Sequence, residues 1–204
     1  MFTIMDDDGE ITMVEEPSTE YIYTYADYLK WKFEERLELF RGKIFKLSAP
    51  NTKHQTVAAK LHLRIGGYLE NRPCFVFIAP FDVRLPVKNR KKDNEITTVV
   101  QPDLGIVCDT SKIDERGCCG APDLVIEILS PGNSQKEVQF KYELYEEAGV
   151  KEYWIINPVE ENIVVHILND KGKFEGLKMY AAGHIIQSYC IEGLQVDVKE
   201  IFKS

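Results

Sequence analysis

"QPDLGIVCD", Gln101–Asp109, and "GAPDLVIEILSPGNS", Gly120–Ser134, decide how this chain reads. Each puts a Pro-Asp pair at the mouth of an apolar run, and the second run carries a carboxylate, Glu127, in its middle. Short apolar runs bounded by turn residues have the pattern of buried strands. Side chains alternate faces along a strand, so Asp123, Val125, Glu127 and Leu129 share one face. In the first run Asp103 shares its face with Gly105 and Val107, and Gly105 leaves room beside it. If the two strands are neighbours, Asp103 and Glu127 meet over that gap. An unpaired buried carboxylate is costly, so a pair of them needs compensation, and a bound cation is the first candidate. Hard oxygens of this kind suit Mg²⁺ or Mn²⁺, with water and a substrate phosphate filling the other positions.

Working outward, a polar linker leads from Glu127 into "EVQFKYELYEEAG". Ser134 with Glu137 matches the S-x-x-E capping box, and Gly149 is a natural terminator. Val138, Tyr142 and Tyr145 form the apolar face of this helix. Lys141 sits beside that face, so its stem can lie on apolar surface while its ammonium reaches the sheet. Upstream, Thr24 can cap a short helix through about Trp31. Leu37–Phe40 and Lys43–Leu47 flank a Gly42 turn as a hairpin. His54, Val57, Ala58, Leu61, Ile65, Tyr68 and Leu69 recur at three- and four-residue steps, which predicts an amphipathic helix. "CFVFIA" and "FDVRLPV" read as further strands, and "EYWIIN" returns as a strand after the second helix. The remainder, from "NIVVHILND" to "LQVDVKEIF", alternates with Gly and Asp turns and predicts an antiparallel meander. The order of elements gives an α/β core of mixed sheet with hairpins at both ends.

The chain has 204 residues, which suits one domain over 21–204 behind a loosely ordered leader at 1–20. A chain of this length buries about 70% of the surface it exposes when unfolded, so it needs no staples. No apolar stretch approaches the roughly 18 residues of a membrane helix. The acidic N-terminus lacks a signal-peptide core, so the cytoplasm is the expected location. Five cysteines, an odd number, predict no disulfide framework, and their spacing matches no zinc finger. The net charge of −8 argues against a basic nucleic-acid coat protein. It does not exclude a nuclease, which needs carboxylates for metal and only a local basic patch for phosphate. "VKNRKKDN", Val87–Asn94, is such a patch, or else a solvated loop.

Taken alone, Asp103 and Asp123 also fit the role of turn caps. Lys141 fits a solvated lysine, Glu38 a surface cross-strand partner, and His54 a satisfied core histidine. Mid-strand Glu127 is the residue hardest to read that way, because a glutamate is rarely buried without a partner.

An Asp opening one strand, with a Glu in the next, resembles the signature of the PD-(D/E)XK nuclease superfamily. Within it the chain is similar to the Uma-type restriction-endonuclease-like family. The residues that carry the resemblance are "ELFRGKIF" (38–45), "NTKH" (51–54), "QPDLGIVCD", "GAPDLVIEILSPGNS" and "KYELYEEAGVKEYWIINP" (141–158). The likeness runs from about residue 24 to the C-terminal "VKEIF". It implies a restriction-endonuclease-like core of α+β mixed sheet flanked by helices. It implies that Asp103, Glu127 and the backbone carbonyl of Ile128 hold the metal. Leu129 stands where the superfamily expects a lysine, and the resemblance implies that Lys141 on the following helix takes that place. It further implies a carboxylate role for Glu38, and pocket positions for His54 and Asp123. The function implied is Mg²⁺-dependent cleavage of phosphodiester bonds in DNA, by a homodimer where both strands are cut. The alternative is a non-catalytic nucleic-acid-binding or structural protein on a nuclease scaffold, since fold does not fix function.

Overall fold

The computed structural model describes residues 2–5, 11–14, 21–31, 36–86, 91–130 and 135–203. In chain order the elements are β1 (Phe2–Met5), β2 (Ile11–Val14), α1 (Tyr25–Tyr28), β3 (Leu37–Phe40), β4 (Lys43–Lys46) and α2 (Thr52–Leu69). Then come β5 (Phe75–Ile78), β6 (Val83–Arg84), β7 (Val99–Val100), β8 (Leu104–Val107), β9 (Ile113–Asp114), β10 (Gly117–Cys119) and β11 (Leu124–Ile128). The chain ends with α3 (Gln135–Ala148), β12 (Glu152–Asn157), β13 (Asn162–Leu168), β14 (Phe174–Tyr180), β15 (Ile185–Gln187), β16 (Gln195–Asp197) and α4 (Val198–Phe202). Of the expected leader, β1 and β2 pair as an antiparallel hairpin. Ser134 of the capping box and residues 87–90 of the basic patch lie outside the described residues.

The central sheet has the order β14-β13-β12-β11-β8-β5. Only β11 and β12 in it run parallel, and α3 is the crossover between them. That connection lays α3 across the strand that carries Glu127. One face of the sheet packs under α2 and α4 through Leu104, Ile106, Leu124, Ile126, Trp154 and Ile156. The other packs under α3 through Val107, Val125 and Tyr153, which meet Leu144 and Tyr145. β11 is therefore covered on both sides, which is why its sequence reads as a continuous apolar run.

A second six-stranded sheet, β4-β3-β7-β6-β10-β9, lies beside the first. The β3-β4 hairpin is its edge rather than an ornament on the core. Arg41 and Gly42 both take positive φ, 46° and 79°, the backbone that a two-residue hairpin turn requires. The run "FDVRLPV" contributes only Val83–Arg84 as strand. Pro86 has no N–H to continue the ladder. The predicted meander divides: β13 and β14 extend the central sheet, while β15 and β16 form a separate pair leading into α4.

One cysteine expectation is corrected. Cys74 and Cys108 form a disulfide. They flank β5 and β8, whose register pairs Phe75 with Val107, so these two cysteines are the next opposing positions. Among the described residues no helix is long and apolar enough to cross a membrane.

Candidate active site

β8 and β11 are antiparallel neighbours, with Val125 opposite Gly105 and Ile126 opposite Leu104. One further step in that register brings Glu127 opposite Asp103. Asp103 is held at one oxygen: Oδ2 accepts the backbone N–H of Ile128 at 2.8 Å and lies 3.1 Å from His54 Nε2. His54 reaches it from the first turn of α2, where Asn51 Oδ1 accepts the His54 backbone N–H at 2.9 Å. Register and hydrogen bonds, rather than space at Gly105, bring the carboxylates together. A Cβ at Gly105 would meet only the rings of Pro102 and Pro122, at an ordinary 3.8 Å.

α3 supplies the cation. Lys141 Nζ lies 3.0 Å from Glu127 Oε1 and 3.5 Å from Glu38 Oε1. Tyr145, one turn further along the same helix face, donates its hydroxyl to Glu127 Oε1 at 2.6 Å. Glu38, on β3, also accepts the backbone N–H of Gln101 at 2.8 Å. Asp103, Glu127, Ile128, His54 and Lys141 line one cleft of about 360 Å³ between the two sheets and the start of α2. Glu38 stands behind Lys141, outside that lining. Asp123 is placed elsewhere. It shares a face with Glu127, as alternation requires, but sits at the other end of β11. There it pairs with Lys151 Nζ at 2.6 Å and accepts the Cys108 N–H at 2.8 Å.

Burial dominates the electrostatics. It pushes Glu127 up to about 7, against the pull of Lys141 and with a further push from Asp103 and Glu38. Burial would lower Lys141, but Glu127 and Glu38 outweigh it and hold the ammonium above its ordinary value. Lys141 is therefore the charged member of the pair, and Glu127 is the one that takes a proton first. Burial, then Glu127, keeps Tyr145 a neutral hydroxyl donor.

The donor set fits a hard divalent cation. Among the described residues, Asp103 Oδ1 and Glu127 Oε2 accept no protein hydrogen bond, although their sister oxygens are held. Glu38 Oε2 is buried without a partner among the described residues. No group of three or more His, Cys, Asp or Glu able to hold a metal occurs among the described residues. The protein thus offers two carboxylates, and carbonyl, water and substrate oxygens would complete a shell of the Mg²⁺ type.

Three participants escape the sequence. Tyr145 reads as a core aromatic, although its four-residue spacing from Lys141 puts both on one side of α3. Gln101 and Arg36 carry no local signal. Arg36 lines the cleft and donates Nε to Gln101 Oε1 at 3.0 Å, and Gln101 in turn donates Nε2 to Asp82 Oδ1 at 2.8 Å.

Three comparisons bear on this geometry. An uncharacterized protein of Synechocystis is 22% identical over 162 residues, covering 78% of this chain and 81% of its own. A solved structure from Anabaena variabilis, described as a "putative nuclease belonging to DUF820", superposes with a TM-score of 0.69 at 21% identity. It covers 88% of this chain and 97% of its own, and at that identity it shows a shared fold. The model of a third group, Uma2, described as "Putative restriction endonuclease", matches residues 25–199, and this chain belongs to that family.

Proposed function

We propose that this chain is a metal-dependent nuclease that hydrolyses phosphodiester bonds of DNA. The observation that carries the reading is the opposed pair Asp103 and Glu127 in one cleft, with Lys141 Nζ 3.0 Å from Glu127. Asp103, Glu127 and the backbone carbonyl of Ile128 would hold Mg²⁺ or Mn²⁺. When bound, the ion lowers the pKa of a coordinated water and stabilises charge on the phosphate.

The chain's own residues do the rest. Ile128 and His54 fix the Asp103 carboxylate so that its second oxygen remains for a ligand. Glu38 holds Lys141 from behind and favours its charged form. Lys141 then orients the attacking water or stabilises negative charge at the phosphate, as a fixed cation in a dry site does best. Cleavage of both strands of a duplex would use two such sites, and a homodimer supplies them.

The test is nicking of supercoiled plasmid by the purified protein, with Mg²⁺, with Mn²⁺ and with chelator. The comparison is an Asp103→Asn/Glu127→Gln double variant, with Mn²⁺ binding followed in both. Cutting that requires metal and vanishes in the variant is the expected result. Metal-dependent cutting at the same rate in both proteins overturns the reading. A wild-type protein that neither cuts any form of DNA nor binds Mn²⁺ favours a non-catalytic scaffold.

A further inference from the structure

Among the described residues, no carboxylate pairs with Arg36, a cation of the cleft. It precedes β3 and lines the same cleft as Asp103 and Glu127. Its Nε donates to Gln101 Oε1 at 3.0 Å, and among the described residues no carboxylate lies within ion-pair reach of its guanidinium. The two terminal nitrogens have no protein acceptor there. Lys141, by contrast, is engaged by Glu127 and Glu38.

Gln101 holds the guanidinium in place through a neutral amide. Gln101 Nε2 donates to Asp82 Oδ1 at 2.8 Å, and Tyr28 donates its hydroxyl to the same oxygen at 3.2 Å. Arg36 can only donate and an ionised Asp82 can only accept, so the Gln101 amide must turn its oxygen to Arg36. Asp82 therefore orients the arginine through an amide without cancelling its charge. The backbone of Gln101 is fixed too, because its N–H donates to Glu38 Oε1 at 2.8 Å. Gln101 stands two residues before Asp103, so one short stretch sets both the arginine and the acidic centre. An arginine fork braced at Nε presents its terminal nitrogens in the geometry that matches two oxygens of a phosphate.

We propose that Arg36 is a substrate-binding residue that grips a backbone phosphate of the nucleic acid in the cleft, with Gln101 as its positioning residue. This rests on the nuclease reading above and adds the subsite by which the cleft holds its substrate. A held cation of this kind acts locally and so is compatible with a net charge of −8.

The experiment measures binding of fluorescein-labelled DNA in Ca²⁺ by anisotropy over a series of KCl concentrations, with Mn²⁺ affinity measured separately by electron paramagnetic resonance. Arg36→Ala is expected to weaken DNA binding about tenfold and to reduce the salt slope by about one counterion. Arg36→Lys keeps the charge and the slope but loses part of the affinity. Gln101→Glu gives Arg36 a carboxylate partner, so it is expected to weaken DNA binding and to lower the salt slope as Arg36→Ala does. A structural role for Gln101 alone would not change the salt slope. Wild-type affinity and slope in Arg36→Ala, with DNA and Mn²⁺ binding intact in the parent, overturn this inference and leave the nuclease reading standing. A parent protein that binds neither overturns both.

Discussion

Ile128 donates its backbone N–H to Asp103 Oδ2 at 2.8 Å, so the strand that carries Glu127 also fixes the carboxylate opposite it. The acidic pair is thus a product of sheet register. Each carboxylate spends one oxygen on the protein and keeps the other. That pair is assembled when β8 and β11 pair.

Lys141 is the single cation between Glu127 and Glu38 among the described residues, and all three are buried. Removing one member of a buried charge group leaves the others uncompensated, typically at a cost of about 3–5 kcal/mol. Lys141→Met should therefore lower stability by that order in urea unfolding. Lys141→Met combined with Glu127→Gln and Glu38→Gln should recover much of the loss. Full stability in the single variant would show that water already compensates the carboxylates.

Tyr145→Phe removes one hydrogen bond to Glu127 Oε1 and almost no volume. A bond to a charged group contributes about 1.5–3 kcal/mol, so a loss of that order is expected in thermal or urea unfolding. The tyrosine hydroxyl also favours the ionised form of Glu127, so the variant should raise the Glu127 pKa further. Titration of a ¹³C-labelled Glu127 carboxyl would read that shift, and an unmoved titration would remove Tyr145 from the site.

The sequence reading reached the faces of the strands but not positions along them. Alternation puts Asp123 and Glu127 on one face, and it says nothing of the strand length that separates them. The sequence puts Lys141 on the helix after Glu127 with its ammonium in reach of the sheet, but a lysine there equally fits a solvated side chain, and only the resemblance singles it out. Arg36 and Gln101 are 65 residues apart, and their meeting depends on β3 and β7 pairing in the second sheet. That sheet was itself hard to see. β6, β7 and β9 have two residues each and β10 has three, too few to show a period of two. The Cys74–Cys108 bond spans 34 residues and depends on the same kind of nonlocal register. Glu127 stood out for the opposite reason, since a carboxylate inside an apolar run breaks the local rule for a buried strand.

The two glycines beside the second sheet and the site should respond differently to alanine. A Cβ on Gly117, at φ +117°, would lie 2.2 Å from the backbone oxygen of Asp82, which also accepts the Cys118 N–H. Gly105 has ordinary space around it. Gly117→Ala should destabilise by more than about 1 kcal/mol through strain and backbone displacement, while Gly105→Ala should stay within about 1 kcal/mol of the parent. Matched unfolding midpoints for the two variants would contradict this contrast.

Glu152 anchors the C-terminal segment to the central sheet. Its side chain accepts from Trp154 Nε1 at 2.7 Å, Ser188 Oγ at 2.7 Å and the backbone N–H groups of Tyr189 and Cys190 at 2.8 and 3.0 Å. Glu152→Gln turns an NH₂ toward a cluster of donors and should cost about 3 kcal/mol. Limited proteolysis should then cut first around Ser188–Cys190. Cleavage elsewhere at an unchanged rate would show that the segment is held by its apolar contacts alone.

His166 makes stability fall on acidification. It packs among Tyr142, Tyr153 and Phe174, with ring centroids 5.0, 5.9 and 5.9 Å away, and burial lowers its pKa from the ordinary 6.5. Between the lowered folded value and 6.5 the unfolded chain binds more protons than the folded one. The stability contributed by neutral His166 is therefore complete above about 6.5 and is lost as the pH falls through the folded value. Glu127, whose pKa is raised, pulls the opposite way over part of the same range, so the parent's own profile mixes the two. His166→Phe keeps an aromatic ring in the cluster and removes the titration. Urea midpoints compared at about pH 5 and about pH 8 should then fall less on acidification in the variant than in the parent. Equal falls in both proteins would assign the acid sensitivity to groups other than His166.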